Sequence, residues 1–143
     1  LKSYMMLADL LNQEFGLEEF SMEVGEHGKP YIADRPDIHF NISHCLKAIA
    51  VVVSDQPVGI DVESFRQYSE GLLDKTMNEA EKAEILASDA PEETFACYWT
   101  RKEAVFKMQG TGITDNLHNI LSGGVTTGTK INREKGYALS VAW

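Results

Sequence analysis

Cysteine is scarce in this sequence, and so is positive charge. The two cysteines, Cys45 and Cys97, stand in unlike surroundings with no Cys-x-x-Cys spacing, which argues against a disulfide scaffold or a zinc clip and for free thiols in a reducing compartment. Lys and Arg number 13 against 22 Asp and Glu, a net charge of −9, so long-range attraction to nucleic acid is lacking. No apolar run approaches the ~20 residues of a bilayer span, and the opening LKSYMMLADLL lacks a signal-peptide layout. The expected location is therefore the cytoplasm, with neither a membrane nor a nucleic acid as partner. Only four prolines and 43% hydrophobic residues occur over 143 positions, which argues against disordered, collagen-like and coiled-coil classes. A chain of this length buries roughly two-thirds of its unfolded surface without staples, as one compact domain or two small fused halves.

What is present reads as an α+β layout with antiparallel strands and segregated helices. Tyr4, Leu7, Ala8, Leu10, Leu11 and Phe15 recur at helical spacing up to Gly16. Phe20, Met22 and Val24 alternate as a short strand, EHGKP is a turn, and extended pieces follow at Tyr31-Ile32 and 38–42. The most apolar segment, 48–53, predicts a well-buried central strand, joined by the turn at 54–57 as a hairpin to the strand 58–63. From Tyr68 the pattern turns helical. Asn78 with Glu81 predicts a capping box, and Pro91 opens a long helix with an apolar stripe to Gly110. Short strands are expected at 112–113, 119–121, 125–129 and 137–143.

Four segments carry candidate chemistry. In Gly59-Ile60-Asp61-Val62-Glu63, residues two apart share a strand face, so Asp61 and Glu63 sit side by side with Gly59 leaving space above them. Paired carboxylates of this kind suit Mg²⁺, which takes one or two of them plus phosphate oxygens and waters; the plain alternative is a solvated strand end. In the helix Trp99-Thr100-Arg101-Lys102-Glu103-Ala104-Val105-Phe106-Lys107, Glu103 and Lys107 lie four apart on one face. They form either a surface ion pair worth ~0.3–0.5 kcal/mol or a third carboxylate beside a phosphate-binding cation. Phe40-Asn41-Ile42-Ser43-His44, expected at a strand end, offers a hydroxyl, an imidazole and backbone amides to a phosphate, or else a polar turn whose Asn41 and Ser43 bond their own backbone. Gly28-Lys29-Pro30 is a turn with one cation. No Walker A loop, GxGxxG fingerprint, HExxH helix or zinc array is present, and the Ser-His neighbours lack the elbow of a hydrolase nucleophile.

Taken in order, GKP at 28–30, FNISH at 40–44, VGIDVE at 58–63 and WTRKEAVFK at 99–107 resemble the sequential motifs of the 4′-phosphopantetheinyl transferase superfamily. The larger bacterial, surfactin-synthetase-activator type matches better than the small trimeric holo-acyl-carrier-protein synthases. The resemblance runs from about residue 4 to the final strand. It implies that family's fold, an antiparallel sheet packed with helices in two pseudo-symmetric halves. Residues 1–143 would form one such domain, with about 1–55 the remainder of an incomplete N-terminal half and about 56–143 the C-terminal half.

The same resemblance implies Mg²⁺-dependent (or Mn²⁺-dependent) transfer of 4′-phosphopantetheine from coenzyme A to a serine of an apo acyl or peptidyl carrier protein, as in fatty-acid, polyketide or nonribosomal-peptide synthesis. The other outcome it allows is a module that binds coenzyme A or a carrier protein without catalysis. Asp61 and Glu63 would hold the metal, and Glu103 would be a further metal ligand or the base at the incoming hydroxyl. Lys107 would contact the coenzyme A phosphates with Lys102 close by. Ser43 and His44 would hold the 3′-phosphate, and Lys29 and Pro30 would line the adenine side. Glu81 receives no catalytic role. Lys29, Lys47, Arg101, Lys102 and Lys107 would thereby form a local basic surface in an acidic chain. Cys45 stands where the family often has Ser. Residue 1 is Leu rather than Met, and the first helix starts without a cap. A longer protein is therefore expected, monomeric if its first half is full and otherwise a homo-oligomer that completes the site by association.

Overall fold

A computed structural model of the chain describes residues 2–110 and 117–143. Helix α1 (Lys2–Phe15) leads into a small antiparallel pair, β1 (Met22–Val24) and β2 (Pro30–Ile32), joined through a 3-10 turn at Glu26–Gly28. A longer hairpin follows, β3 (His39–Cys45) and β4 (Ala48–Ser54). Strand β5 (Gly59–Ser64) comes next, then three helices: α2 (Glu70–Thr76), α3 (Glu79–Ala87) and α4 (Pro91–Gln109). After a 3-10 turn at Ile120–Ser122, β6 (Thr127–Asn132) and β7 (Tyr137–Ala142) complete an antiparallel sheet of order β5-β7-β6. The architecture is α+β. Among the described residues, no helix is long and apolar enough to cross a membrane.

Helix boundaries follow the local chemistry. The Asn78 side chain accepts from the Glu81 amide while the Glu81 carboxylate accepts from the Asn78 amide, the reciprocal box that closes the start of α3. α4 begins with Pro91 and stops at Gly110, whose φ of +72° is a left-handed cap. The helical stretch from Tyr68 is divided, because Ser69 caps α2 and Met77-Asn78 separates it from α3.

Strand partnerships differ from the sequence expectation. β4 does not form a hairpin with β5: its full-length partner is β3, reached through the two-residue Leu46-Lys47 turn, while β5 pairs with β7. Nor is β4 the well-buried strand. Only Ala50 of β4 is buried, whereas Gly59, Ile60, Asp61 and Val62 of β5 all are. β5 is covered on both sides, with Ile60 and Val62 packing toward Ala50, Leu139 and Val141 and α4 against its other face. The expected strand at 119–121 is instead the 3-10 turn, and β6 starts at Thr127 and extends to Asn132. The expected strand at 112–113 lies outside the described residues.

Two packing events position the site. α1 buries Leu7 and Leu11 in one cluster with Ile32, Ile38 and Phe40, joined by Val51 and Val53 of β4, which seats it on β4. α4 buries Ala104, Val105 and Phe106 with Leu117, Ile120 and Ala142 and lies directly on β5 at Gly59. A Cβ at Gly59 would come 2.0 Å from the Ala104 carbonyl oxygen and 2.6 Å from the Met108 amide. The glycine of VGIDVE thus makes room for the backbone of α4, and not for space above the carboxylates.

Candidate active site

Asp61 is the least compensated group in the cluster. It follows Gly59 on the same face of β5, so its carboxyl lies under α4, and its residue is only 6% exposed. Oδ1 accepts from the Ser43 hydroxyl at 3.2 Å; Oδ2 is buried and has no partner among the described residues. Burial, then the negative charge of Glu63, push the Asp61 carboxyl up to about 7, with Glu103 adding to the rise and Lys107 and Ser43 opposing it. A buried carboxylate with a free oxygen is unfavourable alone. Such an atom fits a cation.

α4 supplies the second pair. Burial raises the pKa of Glu103 above the usual carboxylate range; Lys107 opposes the rise and Glu63 adds to it. Burial lowers the pKa of the Lys107 ammonium, against the pull of Asp61, Glu103 and Glu63. Lys107 Nζ donates to the Ile42 carbonyl at 2.9 Å, which holds it between β3 and the carboxylates. The four groups therefore sense one another without forming a closed ion pair. Among the described residues, no three acidic, imidazole or thiol groups converge as a ready-made metal cage. Asp61 and Glu63 with open positions still suit Mg²⁺, which commonly keeps waters and takes substrate oxygens for the remainder.

Beside this cluster is a cleft of about 490 Å³ lined by residues of three motifs: Gly28, Lys29 and Pro30; Phe40, Asn41, Ile42 and His44; Glu103, Phe106 and Lys107. Its remaining wall includes Ser3 and Tyr4 of α1. Those two escaped the sequence reading; Tyr4 was visible only as part of an apolar helical stripe. Lys29 Nζ donates to the Lys107 and Met108 carbonyls at 2.7 and 3.2 Å, so this cation satisfies the last turn of α4 as well as lining the cleft. Burial and the neighbouring Lys107 charge lower its pKa.

Three expected members stand elsewhere. Lys102 is fully buried on another face of α4, where its ammonium donates to Glu81 Oε1 at 2.6 Å and to the carbonyls of Thr76, Leu117 and His118 at 2.8, 2.9 and 3.2 Å. Its three protons are fully engaged, leaving none for a coenzyme A phosphate. Glu81, given no catalytic role, is its ionic partner. Arg101 is turned to β6, donating to Thr129 at 2.7 Å. Ser43 lies within β3 and not after it. It is 6% exposed and takes no part in lining the cleft. Nor do Asn41 and Ser43 bond their own backbone: Asn41 Oδ1 accepts from the Ile60 amide at 2.8 Å, and Ser43 Oγ accepts from the Val62 amide at 3.1 Å. These two side chains bridge β3 to β5, which run in the same direction there. Strand-end chemistry was expected because Asn41, Ser43 and His44 crowd polar groups after Phe40; the signal missed was the spacing of two that puts Asn41 and Ser43 on one face.

Comparison with known proteins gives concordant matches. Residues 57–141 match the model of the 4′-phosphopantetheinyl transferase superfamily. The 4′-phosphopantetheinyl transferase Sfp of Bacillus subtilis (strain 168) is 31% identical over 114 residues, covering 77% of this chain and 51% of that protein. The 4′-phosphopantetheinyl transferase AcpT of Salmonella typhimurium (strain LT2) is 37% identical over 95 residues, covering 62% and 49%. The chain thus spans about half the length of the curated relatives it matches. Among solved structures, the holo-[acyl-carrier-protein] synthase of Thermotoga maritima aligns with a TM-score of 0.46 at 24% identity over 60% of this chain and 61% of that one.

Proposed function

The chain belongs to the 4′-phosphopantetheinyl transferase superfamily, and from that premise we propose that it transfers 4′-phosphopantetheine from coenzyme A to a serine of an apo acyl or peptidyl carrier protein. The observation that carries the reading is the conjunction of a buried carboxylate bearing an unpartnered oxygen, Asp61, with Glu103 and Lys107 on the wall of one cleft. In the reaction, the serine oxygen forms a bond to the phosphorus that bears pantetheine. The bond from that phosphorus to the bridging oxygen breaks, and 3′,5′-ADP leaves with the electron pair. The diphosphate is anionic and so is the leaving group, so catalysis depends on positioning and charge neutralisation.

The residues divide this work. Asp61 and Glu63 would hold a divalent metal, Mg²⁺ or Mn²⁺, which when bound would supply neutralisation of the diphosphate charge. Lys107, fixed by the Ile42 carbonyl, keeps a cation beside the departing phosphate. Glu103, whose proton affinity burial increases, is suited to take the serine proton as a general base, or to add a carboxylate to the metal. His44, Lys29 and Pro30 line the cleft, where they contact the nucleotide part of coenzyme A. Tyr4, Phe40 and Phe106 supply apolar parts of the cleft wall.

The test is intact-mass analysis of an apo carrier protein incubated with this protein, coenzyme A and Mg²⁺. The carrier is expected to gain one phosphopantetheine on its serine, and to gain none with Asp61→Ala. No gain at high protein concentration overturns the transferase reading. Coenzyme A binding without any gain would identify a non-catalytic binding module instead.

A further inference from the structure

The hydroxyl of Ser43 has one proton and two lone pairs. The proton is given to Asp61 Oδ1, and one lone pair accepts the Val62 amide. A phosphate oxygen needs a donor, and Ser43 has none left while it holds Asp61. The residue is also nearly closed to solvent at 6% exposure, and its neighbour His44, not Ser43, reaches the cleft. Among the described residues, the Ser43 contact is the single side-chain hydrogen bond that fixes the Asp61 carboxyl. It occupies Oδ1 and leaves Oδ2 without a partner.

Granting the transferase reading, on which this rests, we propose that Ser43 is a positioning residue for the metal-binding carboxylate and not a ligand of the coenzyme A 3′-phosphate. It orients Asp61 through Oδ1, so that Oδ2 is the oxygen presented to the divalent cation, and it fixes β5 beneath that carboxyl through the Val62 amide. Groups that hydrogen-bond a metal ligand without touching the metal typically contribute 10- to 100-fold in metal affinity. Asn41 makes the companion bond to the Ile60 amide but does not touch Asp61. Its loss therefore affects the strand and not the carboxyl.

Two readouts separate positioning from phosphate binding. Mn²⁺ affinity, read by paramagnetic resonance of the full chain with saturating coenzyme A, is expected to weaken about 10- to 100-fold in Ser43→Ala. Ser43→Cys, which fills the same space with a weak donor, is expected to fall between alanine and the wild type, and it decides the matter should alanine not fold. The ratio of transfer rates with coenzyme A and 3′-dephospho-coenzyme A is expected to stay at the wild-type value in both variants. Mn²⁺ affinity equal to the wild type in the folded variants, or a collapse of that ratio, overturns the proposal. A third readout is independent of turnover: midpoints of chemical unfolding for Ser43→Ala, Asp61→Asn and the double variant are expected to be non-additive, and additive midpoints overturn the pairing. A wild-type protein that neither binds Mn²⁺ nor modifies a carrier refutes the transferase reading and this role with it. A wild type that does both while Ser43→Ala leaves Mn²⁺ affinity intact refutes this role alone.

Discussion

Replacing Asp61 by Asn in metal-free protein is expected to stabilise the fold above neutral pH, the reverse of what loss of a buried charged group usually does. The folded chain holds the Asp61 carboxyl at about 7 against an ordinary 3.8. Each pKa unit corresponds to about 1.36 kcal/mol, so the full linkage amounts to about 4 kcal/mol at most. Local relaxation and water entry reduce that, and about 1–3 kcal/mol is the expected gain. The sign follows from proton counting. Near pH 7 the unfolded chain has already released this proton and the folded chain still partly retains it, so the wild type loses stability as pH rises from about 4 to about 7. Below that window both states are protonated and the penalty is gone. Urea unfolding of wild type and Asp61→Asn, in chelator, at pH 4.5 and pH 8 reads the difference directly. A variant less stable than wild type at pH 8, or a difference unchanged between the two pH values, refutes the account of Asp61 as an uncompensated buried carboxylate.

Gly59→Ala would drive a Cβ into the Ala104 carbonyl and the Met108 amide, backbone atoms that cannot rotate aside, and is expected to cost about 3 kcal/mol or more in urea unfolding; a cost near zero would refute the close approach of α4. Lys102→Met is expected to lose about 3–5 kcal/mol because it strands the Glu81 carboxylate in a buried site. Coenzyme A affinity of the protein that remains folded, measured by calorimetry, should be unchanged; selective loss of affinity without destabilisation would restore Lys102 to the cofactor. Lys107→Gln removes a half-buried cation with no ion pair closer than 4 Å among the described residues, so stability is expected within about 1 kcal/mol of wild type. Carrier modification should fall roughly 10²-fold or more, and a normal initial rate would exclude it from the site.

Helices were legible because their signals are local. Pro91 and Gly110 bracket α4, and the Asn78-Glu81 box marks α3, each within a few residues of sequence. The acidic and basic positions of the cluster beside the cleft were legible for a related reason, since period-two and period-four spacing puts Asp61 beside Glu63 and Glu103 beside Lys107. Partnerships were not legible. The apolarity of 48–53 predicts burial but cannot say whether β4 pairs forward or backward, and the two-residue turn at Leu46-Lys47 decides it. Lys102 and Ser43 show the same limit at the level of single side chains. Their partners lie 21 and 18 residues away, at Glu81 and Asp61, and which of two adjacent residues reaches a cleft depends on a helix rotation for Lys102 and on a strand face for Ser43, neither of which a motif records.

The seam between β3 and β5 bears on how the chain avoids misassembly. An ordinary ladder is degenerate: slide one strand by two residues and every backbone group finds an equivalent mate. Here the adjoining strands are joined by two unlike side chains, an amide on Ile60 and a hydroxyl on Val62. A two-residue slip would bring the Ser43 hydroxyl to Ile60 or Ser64 and leave Asn41 facing the wrong amide, with Asp61 displaced by some 7 Å at the usual strand rise. Either shift offers the two side chains other backbone amides but parts the Ser43 hydroxyl from the Asp61 carboxyl. The alignment of β3 with β5 is thus keyed by that contact, and the Asp61 carboxyl takes its place under α4 only when it is made.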